Sequence, residues 1–207
     1  MEYLDVYDEE KNFIGKYSRE YVHQNALWHN TVHCWLYDKD GNIYFQLRKD
    51  EGKMYTTASG HVLSGETIKE AFGREVKEEI GIDVLYDMAV LVDVFVFKMD
   101  KEKSDGSIFR DRAFSNVYVC PYDGNGLDFN FDLEEVSGVV KVLASDVLKL
   151  FNDSVTELSS IVIENIDNKN ISSCKIITKK DFLLNKGENL IDKYGAVLEK
   201  VVNLTNK

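Results

Sequence analysis

From Thr31 the chain alternates, with Val32, Cys34 and Leu36 on one side and His33, Trp35 and Tyr37 on the other, which is the two-residue period of a strand. The polar turn DKDGN and the run IYFQLR complete a predicted hairpin over 31–48. A shorter hairpin is predicted over residues 2–17, where EYLDVY and FIGKY flank Asp8-Glu9-Glu10-Lys11-Asn12, and a brief helical stretch follows in SREYVHQNALWH. The segment MAVLVDVFVFKM is almost continuously apolar and rich in β-formers. That pattern predicts a strand buried on both faces, with FRDRAFSNVYVCPY as its partner across the KEKSDGS loop. DGNG at 123–126 predicts a turn, VSGVVKVL a short strand, and SDVLKLF a helix with Ser145 as its N-cap.

Two stretches change to a helical period. Thr67 and Glu70 form a T-x-x-E capping box that starts a helix over 67–80, and Gly81 stands where a left-handed C-terminal cap belongs. Ile68, Phe72, Val76 and Ile80 share one face of it. Beyond residue 152 the strand pair LSSIVIEN and SCKIIT precedes a final helix whose apolar stripe runs through Leu190, Ile191, Tyr194, Val197, Leu198, Val201 and Val202. Helices on both sides of a mixed sheet predict an α/β/α sandwich over residues 1–150, with a small C-terminal α+β extension over 151–207. No Pro-, Gly- or Ser-rich linker separates the two, so the extension is expected to pack on the core or to form a homodimer interface.

Composition narrows the function. With 25 Lys+Arg against 36 Asp+Glu the net charge is -11, which repels DNA, RNA and anionic lipid. The acidic opening MEYLDVYDEE is no secretory signal, and no run reaches the ~18 apolar residues of a membrane span. Cys34, Cys120 and Cys174 are odd in number and unpaired in spacing, which fits reduced thiols of a cytoplasmic protein.

The chemistry lies in the predicted helix. At about 100° per residue, Glu75, Glu78 and Glu79 fall in one arc of about 100° at the edge of the apolar face. Like charges about 5.5 Å apart repel by roughly 3 kcal/mol at an effective dielectric near 20. A half-buried cluster of this kind needs a counter-charge, and a hard divalent cation with oxygen ligands supplies one. The frame around it is specific: Gly60, five residues, Glu66, seven residues, Arg74-Glu75, an aliphatic, one residue, Glu78-Glu79, one residue, Gly81, an aliphatic. Random windows match this frame on the order of once in 10⁹.

On these residues the sequence resembles the Nudix hydrolase superfamily, whose signature box it reproduces at all nine defined positions. The resemblance implies an α/β/α Nudix fold and Mg²⁺- or Mn²⁺-dependent hydrolysis of a small diphosphate, typically a nucleoside diphosphate linked to a second moiety. By motif position it implies metal ligands at Glu75, Glu79 and the Gly60 carbonyl, with Glu78 beside them. Arg74 then corresponds to the salt-bridge partner orienting the glutamates, and Glu66 to its counterpart. A general base is expected among the box glutamates or at Glu135 or Glu134 in DLEEVSG. Arg48, Lys53, Arg110 and Arg112 are candidates to meet substrate phosphates.

Trp28-His29, the strand end Gln46-Leu47-Arg48 and Gly60-His61 further resemble the subgroup of isopentenyl-diphosphate isomerases and related hydrolases. The isomerases carry a catalytic Cys before Gly-His, where this chain has Ser59, and a Glu-x-Glu pair on a later strand, where it has Arg110-Asp111-Arg112. The complete box and Ser59 therefore point to a hydrolase rather than an isomerase, and the intact glutamates speak against a catalytically silent nucleotide sensor. His23, His29 and His61 correspond to ligands of a second metal in the isomerases. Without the partner glutamate they read here as satisfied structural histidines, and His33 as a strand-surface residue. Phe13, Trp28, Tyr55 and Phe109 are candidates to stack a base.

Overall fold

The computed structural model describes residues 1–103, 105–184 and 188–206. Its elements, in chain order, are β1 (Tyr3–Tyr7), β2 (Phe13–Ser18), α1 (Arg19–Gln24), β3 (Trp28–Tyr37), β4 (Asn42–Arg48), β5 (Met54–Tyr55), β6 (Ala58–His61) and α2 (Ile68–Ile80). There follow β7 (Val90–Glu102), β8 (Ile108–Pro121), β9 (Val136–Leu143), α3 (Ala144–Phe151), β10 (Leu158–Ile166), β11 (Lys169–Ile177) and α4 (Leu190–Thr205). All the strands join one mixed sheet, in which β3 and β8 run parallel.

The hairpin predicted over 31–48 exists only at its turn. Strands β3 and β4 share the single pair Tyr37–Ile43 and then splay. Strand β3 continues along β6 and β8, whereas β4 continues along β5 and β9. Fully buried Thr56 and Thr57 fill the gap. The Leu36 N–H donates to Thr57 Oγ1 at 3.0 Å, the Thr57 hydroxyl donates to the Tyr44 carbonyl, and Thr56 Oγ1 donates to the Cys34 carbonyl at 2.9 Å. Backbone groups that a straight hairpin would pair with each other are thus satisfied by side chains.

Helix α2 covers one face of the sheet, with Phe72, Val76 and Ile80 fully buried in a core shared with Val32, Cys34, Leu36 and Tyr44. Each such side chain contributes about 1.5–3 kcal/mol by leaving water. Helices α3 and α4 cover the other face, where Leu150, Tyr194, Leu198 and Val201 pack with Trp35 and Phe45. The two layers of helix complete an α/β/α sandwich. Strand β10 pairs with β9, so the sheet runs on without a break into the C-terminal strand pair. Asp167 and Asn168, with φ of 50° and 60°, form its left-handed two-residue turn.

Two expectations are corrected. Strand β7 is not buried on both faces: it pairs with β8 alone and forms an edge, with Leu91 and Val96 exposed. Asp93, Lys98 and Asp100 interrupt its apolar run and are exposed, Lys98 and Asp100 on the same face as Val96. Ser145 does not cap α3, which begins at Ala144 with Leu143 in the cap position and no side-chain cap bond. Strand β9 passes directly into the helix, so Ser145 falls inside the first turn.

Candidate active site

Helix α2 starts at the predicted capping box, with the Glu70 N–H donating to Thr67 Oγ1 and the Thr67 N–H to Glu70, and ends at Gly81 with φ of 74°. The limits fix the phase of its glutamates. Arg74 braces the cluster through a bidentate pair with Glu66 at 2.8 and 2.9 Å, and bonds to Glu75 at 2.7 Å, to Glu78 at 3.0 Å and to the His61 carbonyl at 2.8 Å. One guanidinium so joins three carboxylates to β6. Glu78 points outward, with its side chain 58% exposed, whereas Glu75 is 13% exposed.

Glu79 is buried and has a different set of partners: the Gln46 amide at 2.9 Å and the Ser59 N–H at 3.1 Å, both on the same carboxylate oxygen. Among the described residues no cation pairs with it. Burial, then the charge of Glu75, pushes Glu79 up to about 8, and burial opposed by Arg74 pushes Glu75 up to about 6. Gly60 allows the close approach, since a Cβ there would lie 2.1 Å from the Glu75 carboxylate. The two buried carboxylates, pressed against a bare backbone with too little positive charge beside them, fit a hard divalent cation.

The end of α2 also positions the loop after Gly126. The Asn130 N–H donates to the Ile80 carbonyl and the Asp132 N–H to the Glu79 carbonyl, both at 2.9 Å, which satisfies acceptors left open at the helix end. The Glu135 carbonyl accepts from the Lys49 N–H at 2.9 Å. Pinned at both ends, the loop brings Glu134 and Glu135 to a cleft of 480 Å³ whose walls include Ser59, Gly60, His61 and Glu79.

Of the four phosphate candidates only Arg48 lines this cleft, where it pairs with Asp50 at 3.2 Å. The expectation fails for the other three. Lys53 lies beside a separate groove and bonds to the Lys180 carbonyl. Arg110 bonds to the Gln24 carbonyl at 3.0 Å, and Arg112 pairs with Asp100 at 2.7 Å, because both point away from the cleft on β8 while Asp111 between them points in. Arg19 of α1 lines the cleft instead, a residue that sequence gave no reason to single out. Of the aromatic candidates, Tyr55 and Phe109 reach the cleft, whereas Trp28 stacks on Phe114 and Phe13 sits on the outer hairpin.

The three histidines form one group, in which the Nε2 atoms of His23 and His61 share a hydrogen bond at 3.1 Å. His23, His29 and His61 turn one ring nitrogen each into a group lying within 4.8 Å. The Nδ1 atoms of His23 and His29 donate to the carbonyls of Arg110 and Leu27 at 3.0 and 3.1 Å, which leaves a lone pair on each Nε2: that of His23 accepts from His61 Nε2, and that of His29 faces Asp111. Asp111 Oδ1 lies 3.4 Å from His29 Nε2, and both atoms are buried without a hydrogen-bond partner. Burial pushes His29 down to about 4, lowers His23 and His61, and raises Asp111. Three imidazoles gathered in this way, with the Asp111 carboxylate against His29, suit a transition-metal ion. His33 too is half-buried in the cleft wall rather than on an open strand surface.

The family model of the NUDIX domain matches residues 27–155. An uncharacterized Nudix hydrolase of Clostridium acetobutylicum is 30% identical over 194 residues, covering 89% of this chain and 91% of that protein. An isopentenyl-diphosphate Delta-isomerase of Serratia proteamaculans is 28% identical over 128 residues, covering 59% of this chain and 68% of that one. A solved protein of Deinococcus radiodurans has a similar fold, with a TM-score of 0.52 at 21% identity over 73% of this chain and 89% of that one.

Proposed function

This chain belongs to the Nudix family and is a pyrophosphohydrolase of the Nudix type, and on that premise we propose that it cleaves a phosphoanhydride bond in a nucleoside diphosphate linked to a second moiety, or in a related small diphosphate, with Mg²⁺ or Mn²⁺. The observation that carries the reading is the buried carboxyl of Glu79, without an ion-pair partner among the described residues, beside Glu75 at the foot of the cleft.

Glu75 and Glu79 hold the ion, with Glu78 beside them and the Gly60 carbonyl as a further ligand. When bound, the ion stabilises negative charge on the diphosphate as a Lewis acid. Arg74 keeps Glu75 ionised and in place. Arg48 and Arg19 receive phosphate oxygens at the cleft wall. Glu135, or Glu134 next to it, takes a proton from the attacking water. The water oxygen forms the new bond to phosphorus, and the bridging P–O bond breaks with its electron pair on the departing phosphate.

His23, His29, His61 and Asp111 hold a second, softer ion in the same cleft, a reading supported by the orphaned lone pairs of His29 and Asp111. An isomerase reading has no thiol at Ser59 to rest on, and a silent sensor has no use for a braced, charge-loaded box. A panel of nucleoside-linked and simple diphosphates tests the assignment. Mg²⁺-dependent release of phosphate or a monophosphate from at least one member is expected, with the products locating the broken bond. Equal turnover in EDTA would overturn the metal-dependent reading.

A further inference from the structure

A second cavity, of 200 Å³, adjoins the cleft, and His33 and Tyr55 are walls of both. Its other walls belong to elements outside the glutamate box: Trp35 from β3, Phe95 and Phe97 from β7, and Tyr194 from α4. The edge strand and the C-terminal helix therefore close a compartment that opens beside the reacting end of the cleft.

Its size and chemistry restrict what enters. Aromatic rings are the largest group among the walls, beside Asn189, Asp192 and Lys193 at the start of α4, and flat side chains favour a flat partner. Trp35 is 3% exposed and its Nε1 is buried with no acceptor among the described residues, a state that is costly to leave uncorrected. His33, driven down to about 4 by burial and by the charge of Lys193, is neutral and offers one donor and one acceptor. Lys193 lies over the Tyr55 ring at 5.2 Å and is paired with Glu188 at 2.8 Å, so its charge is already met. An alkyl chain would leave Trp35 and His33 unpaired, and the charged walls are already partnered, Lys193 with Glu188 and Asp192 with Asn189, so none calls for a charged guest.

We propose that this cavity is the specificity pocket of the enzyme and receives an uncharged heteroaromatic ring carried by the diphosphate substrate, with α4 and β7 selecting that ring. The linker between ring and diphosphate passes His33 and Tyr55. This inference rests on the hydrolase reading for its catalytic readout only.

Phe97 is half-buried on the edge strand, outside the packed core, and so is the residue to change. The test compares wild type, Phe97→Ala and the ring-preserving Phe97→Tyr. Their substrates are diphosphates of purine, pyrimidine and pyridine nucleosides, together with ring-free methyl diphosphate and an alkyl diphosphate. Binding of the corresponding nucleosides, which lack the diphosphate, is measured in parallel by tryptophan fluorescence. For the preferred ring, Phe97→Ala is expected to lower kcat/KM and nucleoside affinity about tenfold or more, with Phe97→Tyr near wild type and methyl diphosphate within about twofold. An equal loss on methyl diphosphate, no loss on any ring-bearing substrate, or preference for the alkyl diphosphate would overturn the pocket assignment. Failure of every diphosphate to react, with nucleoside binding still weakened in Phe97→Ala, would sink the hydrolase reading and leave the pocket standing.

Discussion

The glutamate cluster and the histidine cluster meet at one cleft, which Glu79 lines from the first and His61 and Asp111 from the second, and are built on opposite plans. Glu75, Glu78, Glu79 and their brace Arg74 come from a single helix whose start and end are set by local caps. His23, His29, His61 and Asp111 come from α1, β3, β6 and β8, and meet only because the sheet brings those strands together. The first group consists of acids held near one another despite repulsion. The second consists of bases kept neutral by burial. Concentrated chemistry on one helix leaves a sequence signature, and chemistry assembled by topology leaves scattered residues. His61 is the seam between them, its ring in one cluster and its carbonyl bonded to Arg74 of the other.

The sharpest way to break this contrast is to neutralise one group at a time. Glu79→Gln, which keeps shape and removes the charge, is expected to lower turnover by about a hundredfold or more at saturating Mg²⁺, with thermal stability unchanged or raised. Turnover within tenfold of wild type would remove Glu79 from the catalytic ion. His29→Ala should leave the box able to bind Mg²⁺ while an N-ligated ion, measured by elemental analysis, falls from about one per chain to a small fraction of that. If wild-type and variant protein carry the same metal content, the four-residue site is wrong.

The smallest effect is a divergence with pH. An acid whose folded pKa is raised binds more protons folded than unfolded, so its contribution to stability falls as pH rises through the window. For Glu79 that window runs from the ordinary 4.5 of a glutamate to about 8. A base whose folded pKa is lowered behaves in reverse, and His29 loses stability as pH falls from 6.5 toward about 4. Between 6.5 and 8 Glu79 acts without His29 and above the window of Glu75, which ends at about 6. Metal-free protein should therefore lose about 2 kcal/mol across that interval. Either Mg²⁺ or Glu79→Gln should flatten the loss in a denaturation series at stepped pH. A slope that persists in Glu79→Gln would assign it to other groups.

How much was legible in the sequence follows the same division. The capping box, the Gly81 cap, the glutamate phase and the Arg74 brace were all readable, because each depends on residues a few positions apart. The sandwich was readable from strand and helix periods. The splay of β3 from β4 was not, since an alternating pair joined by a good turn looks the same whether or not the strands stay together. The edge position of β7 was hidden because apolar content reports burial only when the neighbours are known. Asp111 stands between Arg110 and Arg112 where the isomerases have Glu-x-Glu, and strand alternation sends its neighbours outward and Asp111 inward. The period-two rule alone, applied there, would have found it.

Thr56 and Thr57 act as a wedge driven into the sheet. Because their hydroxyls take over the bonds that β3 and β4 would otherwise make with each other, the two strands have no reason to zip shut. A substrate arriving at this protein has no strands to part, and the opening it enters is as old as the folded chain itself.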